Sequence, residues 1–318
     1  MRNKYKGKKV LVTGGNGFIG LNLVKTLKEA GAHLTITFLK TDGPELTGKD
    51  ILSGVTARAI DIRDRLAMEK VVRGKDYIFH LAGHSGAVNS LENPILDMEV
   101  NCNGSLVLLE ACRRFNPAAP ILSLGSRLQF GRAKYLPVDE AHPLRPTSIH
   151  GVNKLAVEKY FILYHQIYKM KTIYMRVTNP YGPYQTDQPK NFGIINLFIQ
   201  QAVRDETIKI FGAGKQLRDY LYIDDLIAVM MLAALNPRAY GEVFNIGSGK
   251  GIGLLDMVRT IIRIAGKGKV AKVPWPPQFK KVETGDFVAD ITKAGKILGW
   301  RPRTAIKEGL RKTMVSYL

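Results

Sequence analysis

The sequence predicts an α/β fold, a doubly wound parallel sheet joined to a smaller mixed α/β lobe. Three observations lead there. Short apolar runs recur at intervals that leave room for a helix between them. The runs are nearly continuous in apolar character, as strands buried on both faces must be. A glycine-rich turn, Gly14-Gly15-Asn16-Gly17-Phe18-Ile19-Gly20, follows the first run and opens a helical pattern. Strand–helix alternation with right-handed crossovers gives a parallel sheet covered on both sides.

The strands are expected near 9–13, 33–39, 55–60, 76–81, 120–124, 172–177 and 243–246. Helical patterns lie between them at Leu21 to Ala30, Leu66 to Val72, Ile95 to Phe115 and Val152 to Tyr168. After Thr178 the texture changes: Asn179-Pro180-Tyr181-Gly182-Pro183 begins a loop-rich stretch, and Pro274 to Pro277 marks another. Ala294 to Leu298 is expected as a short helix, stopped by Gly299-Trp300-Arg301-Pro302 and followed by a last helix. Residues 1–178 plus 219–247 are thus expected to form the main domain, and 179–218 plus 248–318 the smaller lobe.

Composition excludes several classes. The 318 residues are 45% hydrophobic and 23% charged, so neither a disordered nor a fibrous chain fits. The longest apolar run, Leu226 to Leu235, is about half the length of a membrane-spanning helix. A basic start followed by Val10-Leu11-Val12 imitates a secretion signal, but Gly14, Gly15, Gly17 and Gly20 interrupt any apolar core region. Two cysteines, Cys102 and Cys112, cannot staple a chain of this size, so a reducing cytoplasm is expected. Lys and Arg total 47 against 27 acids, a formal +20, which points to an anionic partner. The basic residues are scattered, densest at Arg2 to Lys9 and Lys267 to Lys281, and form no single block of the kind a nucleic-acid tail shows. No paired His or Cys spacing suggests a metal.

The glycine turn carries chemistry. Glycines let the backbone approach a pyrophosphate, and the helix that follows offers free N–H groups at its positive end. Gly14, Gly17, Phe18, Ile19 and Gly20 are therefore expected to hold a dinucleotide. An acid about 20 residues on usually grips the adenosine ribose. Phe38, Leu39 and Lys40 stand there instead, with Asp42 beyond. Lys40 could meet a 2′-phosphate, so NAD is expected with NADP left open. Asp61-Ile62, after the third strand, is placed to meet the adenine.

Taken with these, further motifs make the chain resemble the extended short-chain dehydrogenase/reductase family, in particular its nucleotide-sugar epimerases and dehydratases. They are His80-Leu81-Ala82-Gly83, Asn101, Leu124 to Gly131, Pro137-Val138-Asp139-Glu140 and Arg176 to Pro183. Phe211-Gly212-Ala213-Gly214 leading to Arg218-Asp219-Tyr220, Asp224-Asp225, Phe244 to Gly249 and Leu298-Gly299-Trp300 complete the set. The resemblance covers nearly the whole chain and implies a Rossmann dinucleotide domain, with Leu81 and Ala82 beside the cofactor. It also implies oxidation of a sugar hydroxyl at C4 by hydride transfer, then epimerisation or dehydration through a 4-keto sugar.

The family's Tyr-x-x-x-Lys pair sits on one helical face. Lys154 fits the lysine and Ser126 the helper hydroxyl, but His150 stands at the tyrosine position. Histidine is a competent base, with an ordinary pKa of about 6.5 against about 10 for Tyr. His150 is either that base or a helix-start residue in a protein that has lost redox chemistry. His84, after the fourth strand, is placed on the same sheet edge and could assist the proton transfer. The resemblance also implies a nucleotide-diphosphate sugar as partner, held by Asn179, Lys209, Phe211 and Arg218. Glu283 replaces an expected arginine, with Lys281 near it in sequence. A homodimer through the helices near 95–115 and 152–168 is implied too. The rival readings are a catalytically silent sugar-nucleotide or dinucleotide binder and an RNA-binding protein on the same fold.

Overall fold

The structure, a computed structural model, describes residues 2–39, 49–185 and 193–318. Lys40 and Asp42 lie outside the described residues. Strand β1 (Lys9–Thr13) is followed by β2 (His33–Phe38), β3 (Thr56–Ala59), β4 (Tyr77–His80), β5 (Ile121–Ser126) and β6 (Thr172–Val177). Then come β7 (Asn179–Tyr181), β8 (Thr207–Phe211) and β9 (Leu217–Tyr222). Among the described residues β10 (Val243–Ile246), β11 (Gly251–Gly253) and β12 (Lys269–Val273) complete the series.

Seven of these strands form the central sheet in the order β10-β6-β5-β4-β1-β2-β3, parallel throughout. The winding reverses between β1 and β4. That reversal opens a crevice at the carboxyl edge, where ligands of such sheets bind. Alternation along β1 shows both faces covered: Val10 and Val12 enter one hydrophobic core, and Leu11 enters the other. In the first core they meet Leu23 and Leu27 of the Phe18–Glu29 helix and Met230 of the Ile223–Ala234 helix. In the second, Leu11 lies with Ile78, Leu108 and Phe161. All six residues of β6 are buried, whereas edge strand β3 is exposed along its length.

The expected single helix from Ile95 to Phe115 is interrupted. A helical turn at Pro94–Met98 passes through a π-helical turn at Glu99–Asn103 before the Gly104–Phe115 helix. The wider turn inserts a residue, which rotates the helix face and buries Asn101 and Cys102.

Five strands that the apolar pattern does not announce build two smaller sheets. β7 pairs parallel with β9, which pairs antiparallel with β11, and β8 pairs parallel with β12. β9 thus lies outside the central sheet, and the chain returns to that sheet only at β10. Asp219, fully buried in β9, fastens the junction. Its carboxyl accepts from Ser248 N at 2.6 Å, Ser248 Oγ at 2.8 Å, and the amides of Gly249 and Ala289 at 3.1 Å.

Candidate active site

The glycine turn joins β1 to the Phe18–Glu29 helix at the switch point. Gly14 has φ +67°, and a Cβ there would stand 2.7 Å from the Ala82 amide nitrogen. A Cβ at Gly20 would collide with the Gly14 carbonyl oxygen. At Gly17 the nearest atom would be 3.4 Å away, so this face of the backbone is open. Gly17 caps the helix and Phe18 and Ile19 begin it, so their amides lie in the turn that has no intrahelical acceptors. The cradle fits a pyrophosphate: two glycines close the turn and the third leaves an approach.

A buried hydroxyl–imidazole chain braces the turn against β4. Thr13 Oγ1 accepts from the Leu81 and Ala82 amides, both at 3.2 Å, so its own hydrogen goes to His80 Nδ1 at 2.9 Å. His80 Nε2–H then donates to Ser105 Oγ at 3.0 Å. Burial, helped by the Lys154 charge, pulls the His80 pKa down to about 3. The folded chain therefore binds fewer protons here than the unfolded chain below about pH 6.5. Stability is full above that value and drains as pH falls toward 3. From this residue alone, unfolding free energy should drop by about 2 kcal/mol between pH 7 and pH 5. Urea titrations of wild type and His80→Gln at both pH values check this, since the variant must lose that part of the slope.

The Ile149–Tyr168 helix starts at Ser148, whose hydroxyl accepts from the Gly151 amide at 3.1 Å. His150 and Lys154 follow one turn apart. Lys154 Nζ donates to the Leu124 carbonyl at 3.1 Å, and burial lowers its pKa. Beside it, Asn101 Oδ1 is buried without a partner among the described residues. A Cβ at Gly83 would lie 2.8 Å from that oxygen and 3.5 Å from Lys154 Nζ, so acceptor and ammonium face one space. His150 is buried, and its Nδ1 lies 3.3 Å from Asp97 Oδ2, to which His84 Nδ1 also comes, at 3.1 Å. Burial lowers the His150 pKa; the Asp97 hydrogen bond opposes this and the Lys154 charge adds to it. The ring is therefore neutral near pH 7.

Ser126 ends β5, and its hydroxyl accepts from the Leu128 amide at 3.2 Å, leaving its hydrogen to donate elsewhere. Gln129 Oε1 accepts from the Ser126 amide at 2.9 Å, while Gln129 Nε2 donates to Glu158 at 2.7 Å. Glu158, wholly buried on the histidine's own helix, also takes Arg176 Nε at 2.7 Å and Nη2 at 2.6 Å. One carboxylate thus ties helix, β6 and the Ser126 turn together.

A cationic cluster lies alongside. Arg218 pairs with Glu283, not with the neighbouring Asp219, and donates to the Gly285 carbonyl. Arg127, which the sequence pattern does not single out, donates to Thr284 Oγ1 at 2.7 Å and Asn179 Oδ1 at 3.3 Å. Burial, then the nearby Arg218 charge, pulls the Arg127 pKa down to about 10. The Tyr220 hydroxyl is buried there with no partner among the described residues. Two guanidiniums against one carboxylate leave an excess positive charge. Phe211 sits at the end of β8 against Trp275 and Phe279, at ring separations of 5.4 and 5.3 Å. Lys209 and Lys281 are exposed.

Asp61, after β3, is held in an ion pair with Arg63. Both its oxygens are taken by Arg63, whose third nitrogen reaches Glu99 at 2.7 Å. Ile62 is buried against Gly104. Cys102 and Cys112 are free and buried, and burial pushes the Cys102 thiol up to about 11. Among the described residues no helix is long and apolar enough to cross a membrane.

Comparison with known proteins adds to this geometry. The model of the NAD dependent epimerase/dehydratase family matches residues 10–247. The UDP-glucuronate 4-epimerase of Thermodesulfobacterium geofontis is 32% identical over 319 residues, covering 96% of this chain and 94% of its own. The crystal structure of UDP-glucose 4-epimerase from Thermotoga maritima, with UDP-glucose, is 29% identical, with TM-score 0.87 over 97% of this chain and 98% of that one. That of the Thermus thermophilus UDP-glucose 4-epimerase, complexed with NAD, is 28% identical, with TM-score 0.85 over the same shares, 97% and 98%.

Proposed function

The chain belongs to the NAD dependent epimerase/dehydratase family, and from that premise we propose that it is an NAD(P)-dependent nucleotide-sugar epimerase or dehydratase working at sugar C4 through a 4-keto intermediate. The observation that carries this is one sheet edge where the open backbone at Gly17, the Lys154 ammonium and the unpartnered Asn101 oxygen meet the neutral His150. A nicotinamide dinucleotide, when bound, supplies the two-electron acceptor. Gly14, Gly17, Phe18, Ile19 and Gly20 hold its pyrophosphate, Asp61 and Ile62 border the adenine, and Leu81 and Ala82 line its path. Lys154 holds the ribose hydroxyls.

His150 takes the sugar hydroxyl proton at Nε2, which has no other partner among the described residues, and Ser126 donates its free hydrogen to the same oxygen. Arg218, Asn179 and Arg127 meet the substrate diphosphate, and Lys209 and Phe211 meet the base. His84 and Lys281 stand at the rim. NAD is the proposed cofactor, since Arg63 is held by Asp61 and Glu99 and so withheld from a 2′-phosphate. Residues 1–178 with 219–247 would serve the cofactor, and 179–218 with 248–318 the sugar nucleotide. The setting is cytoplasmic. The proposed homodimer would cover the exposed Ile95, Val152, Leu163 and Ile167.

Mass spectrometry of ligands released from the purified protein should find NAD. Incubation with UDP-glucose or dTDP-glucose should yield an epimer or a 4-keto product, and light scattering should weigh two chains. Dinucleotide release without turnover of any sugar nucleotide would indicate a silent binder and overturn the enzymatic reading. Tight, salt-sensitive RNA binding instead would favour the third alternative.

A further inference from the structure

Asp97 lies in the short helix before the π-helical turn, and none of its side chain is exposed. Among the described residues no lysine or arginine is bound to it. Instead, Asn153 Nδ2 donates to Oδ1 at 2.7 Å, while His84 Nδ1 and His150 Nδ1 lie 3.1 and 3.3 Å from Oδ2. Burial alone would raise its pKa, but the hydrogen bonds from His150 and Asn153, then His84, hold it well below the usual carboxylate range.

An ionised carboxylate only accepts, so each imidazole must turn a hydrogen-bearing nitrogen toward it. In a neutral ring that hydrogen then sits on Nδ1, and Nε2 keeps its lone pair. We propose that Asp97 is a positioning residue that locks His150 and His84 as Nδ1–H tautomers, so that the neutral His150 ring presents Nε2 unprotonated. The catalytic part rests on His150 being the base, as argued above; the tautomer assignment does not. The arrangement is directional. Asn153 fixes Oδ1 as an acceptor from the other side, and the Ser90 hydroxyl anchors the His150 amide at 3.1 Å. The remaining charge facing His150 is Lys154.

Asp97→Asn tests this nearly without change of shape. Asn153 still demands an acceptor at Oδ1, so the new amide group must face the two rings. They then accept at Nδ1 and carry hydrogen at Nε2. Nitrogen-15 NMR of the imidazoles should show Nδ1–H rings in wild type and Nε2–H rings in Asp97→Asn. In the variant kcat should fall on the order of 10⁴-fold with KM little changed, as expected when a base is held in the wrong tautomer. The swap Asp97→Asn with Asn153→Asp turns the amide around, and should restore the Nδ1–H signature and part of kcat.

An Nε2–H His150 in wild type overturns the proposal, and that spectrum needs no variant to fold. Unchanged tautomers and kcat in Asp97→Asn overturn it equally. A protein with the expected tautomers but no turnover of any sugar nucleotide upholds the positioning and sinks the proposed function instead.

Discussion

Replacing His150 by alanine should lower kcat about 10³-fold, within the range a positioned general base contributes, while the dinucleotide stays bound. A lone methyl group in place of the imidazole reaches neither Asp97 nor the sugar, and the glycine turn, Lys154 and Ser126 keep their contacts to other groups. Steady-state rates on a sugar nucleotide and the dinucleotide content of the purified variant check both halves. The pH profile is a sharper readout. His150 as the proposed base must be unprotonated, and burial holds its pKa below the ordinary value. Wild-type kcat/KM should therefore hold down to about pH 6.5 and fall only below it. His150→Tyr discriminates further: if wild type is inert and only this variant turns over sugar nucleotides, the histidine is not a base.

The second large effect is expected on stability. Arg176 is 5% exposed in its side chain and Glu158 not at all, and among the described residues the only other cation near the carboxylate is the exposed Lys159, at 3.9 Å. Arg176→Met leaves the buried carboxylate with only Gln129 and the exposed Lys159, and Glu158→Leu leaves the buried guanidinium with only the Glu140 carbonyl. Each should cost about 3–5 kcal/mol of unfolding free energy in chemical denaturation, whereas the double replacement should cost less than either single one. Glu158→Leu also frees Gln129, so the turn holding Ser126 should loosen and activity should fall further than with Arg176→Met. Additive single costs in the double variant would contradict the account.

How far the site can be read from the chain depends on sequence separation. The glycine turn is legible because its members are neighbours whose spacing is dictated by the phosphate they wrap. His150 and Lys154 are legible because four residues make one helical turn. Asp97 is not, since its partners come from 13, 53 and 56 residues away and a lone Asp in a helical pattern carries no mark. Arg127 escapes notice for the same reason, for its contact Thr284 lies 157 residues on.

Among the folding elements, most central strands declare themselves through nearly continuous apolar runs, whereas the exposed edge strand β3 does so only by its place in the strand–helix alternation. The three-residue strands β7 and β11 are too short to show a period, β8 exposes alternate residues like any surface segment, and β12 buries none of its residues fully. The π-helical turn is invisible to a pattern that tolerates one extra residue. Arg218 shows the limit of motif reading from the other side: the motif marks its position, but Glu283, itself a departure, sets its partner.

The late return of β10 to the central sheet has a consequence for biosynthesis. β6 is buried along its whole length, yet the neighbour that closes its outer side begins at Val243, long after β6 ends at Val177. At ribosomal speeds the nascent chain carries that apolar edge open for on the order of several seconds. A ribosome-bound intermediate ending before Val243 is thus a template for intermolecular pairing, and a substrate for a holdase chaperone until the sheet shuts.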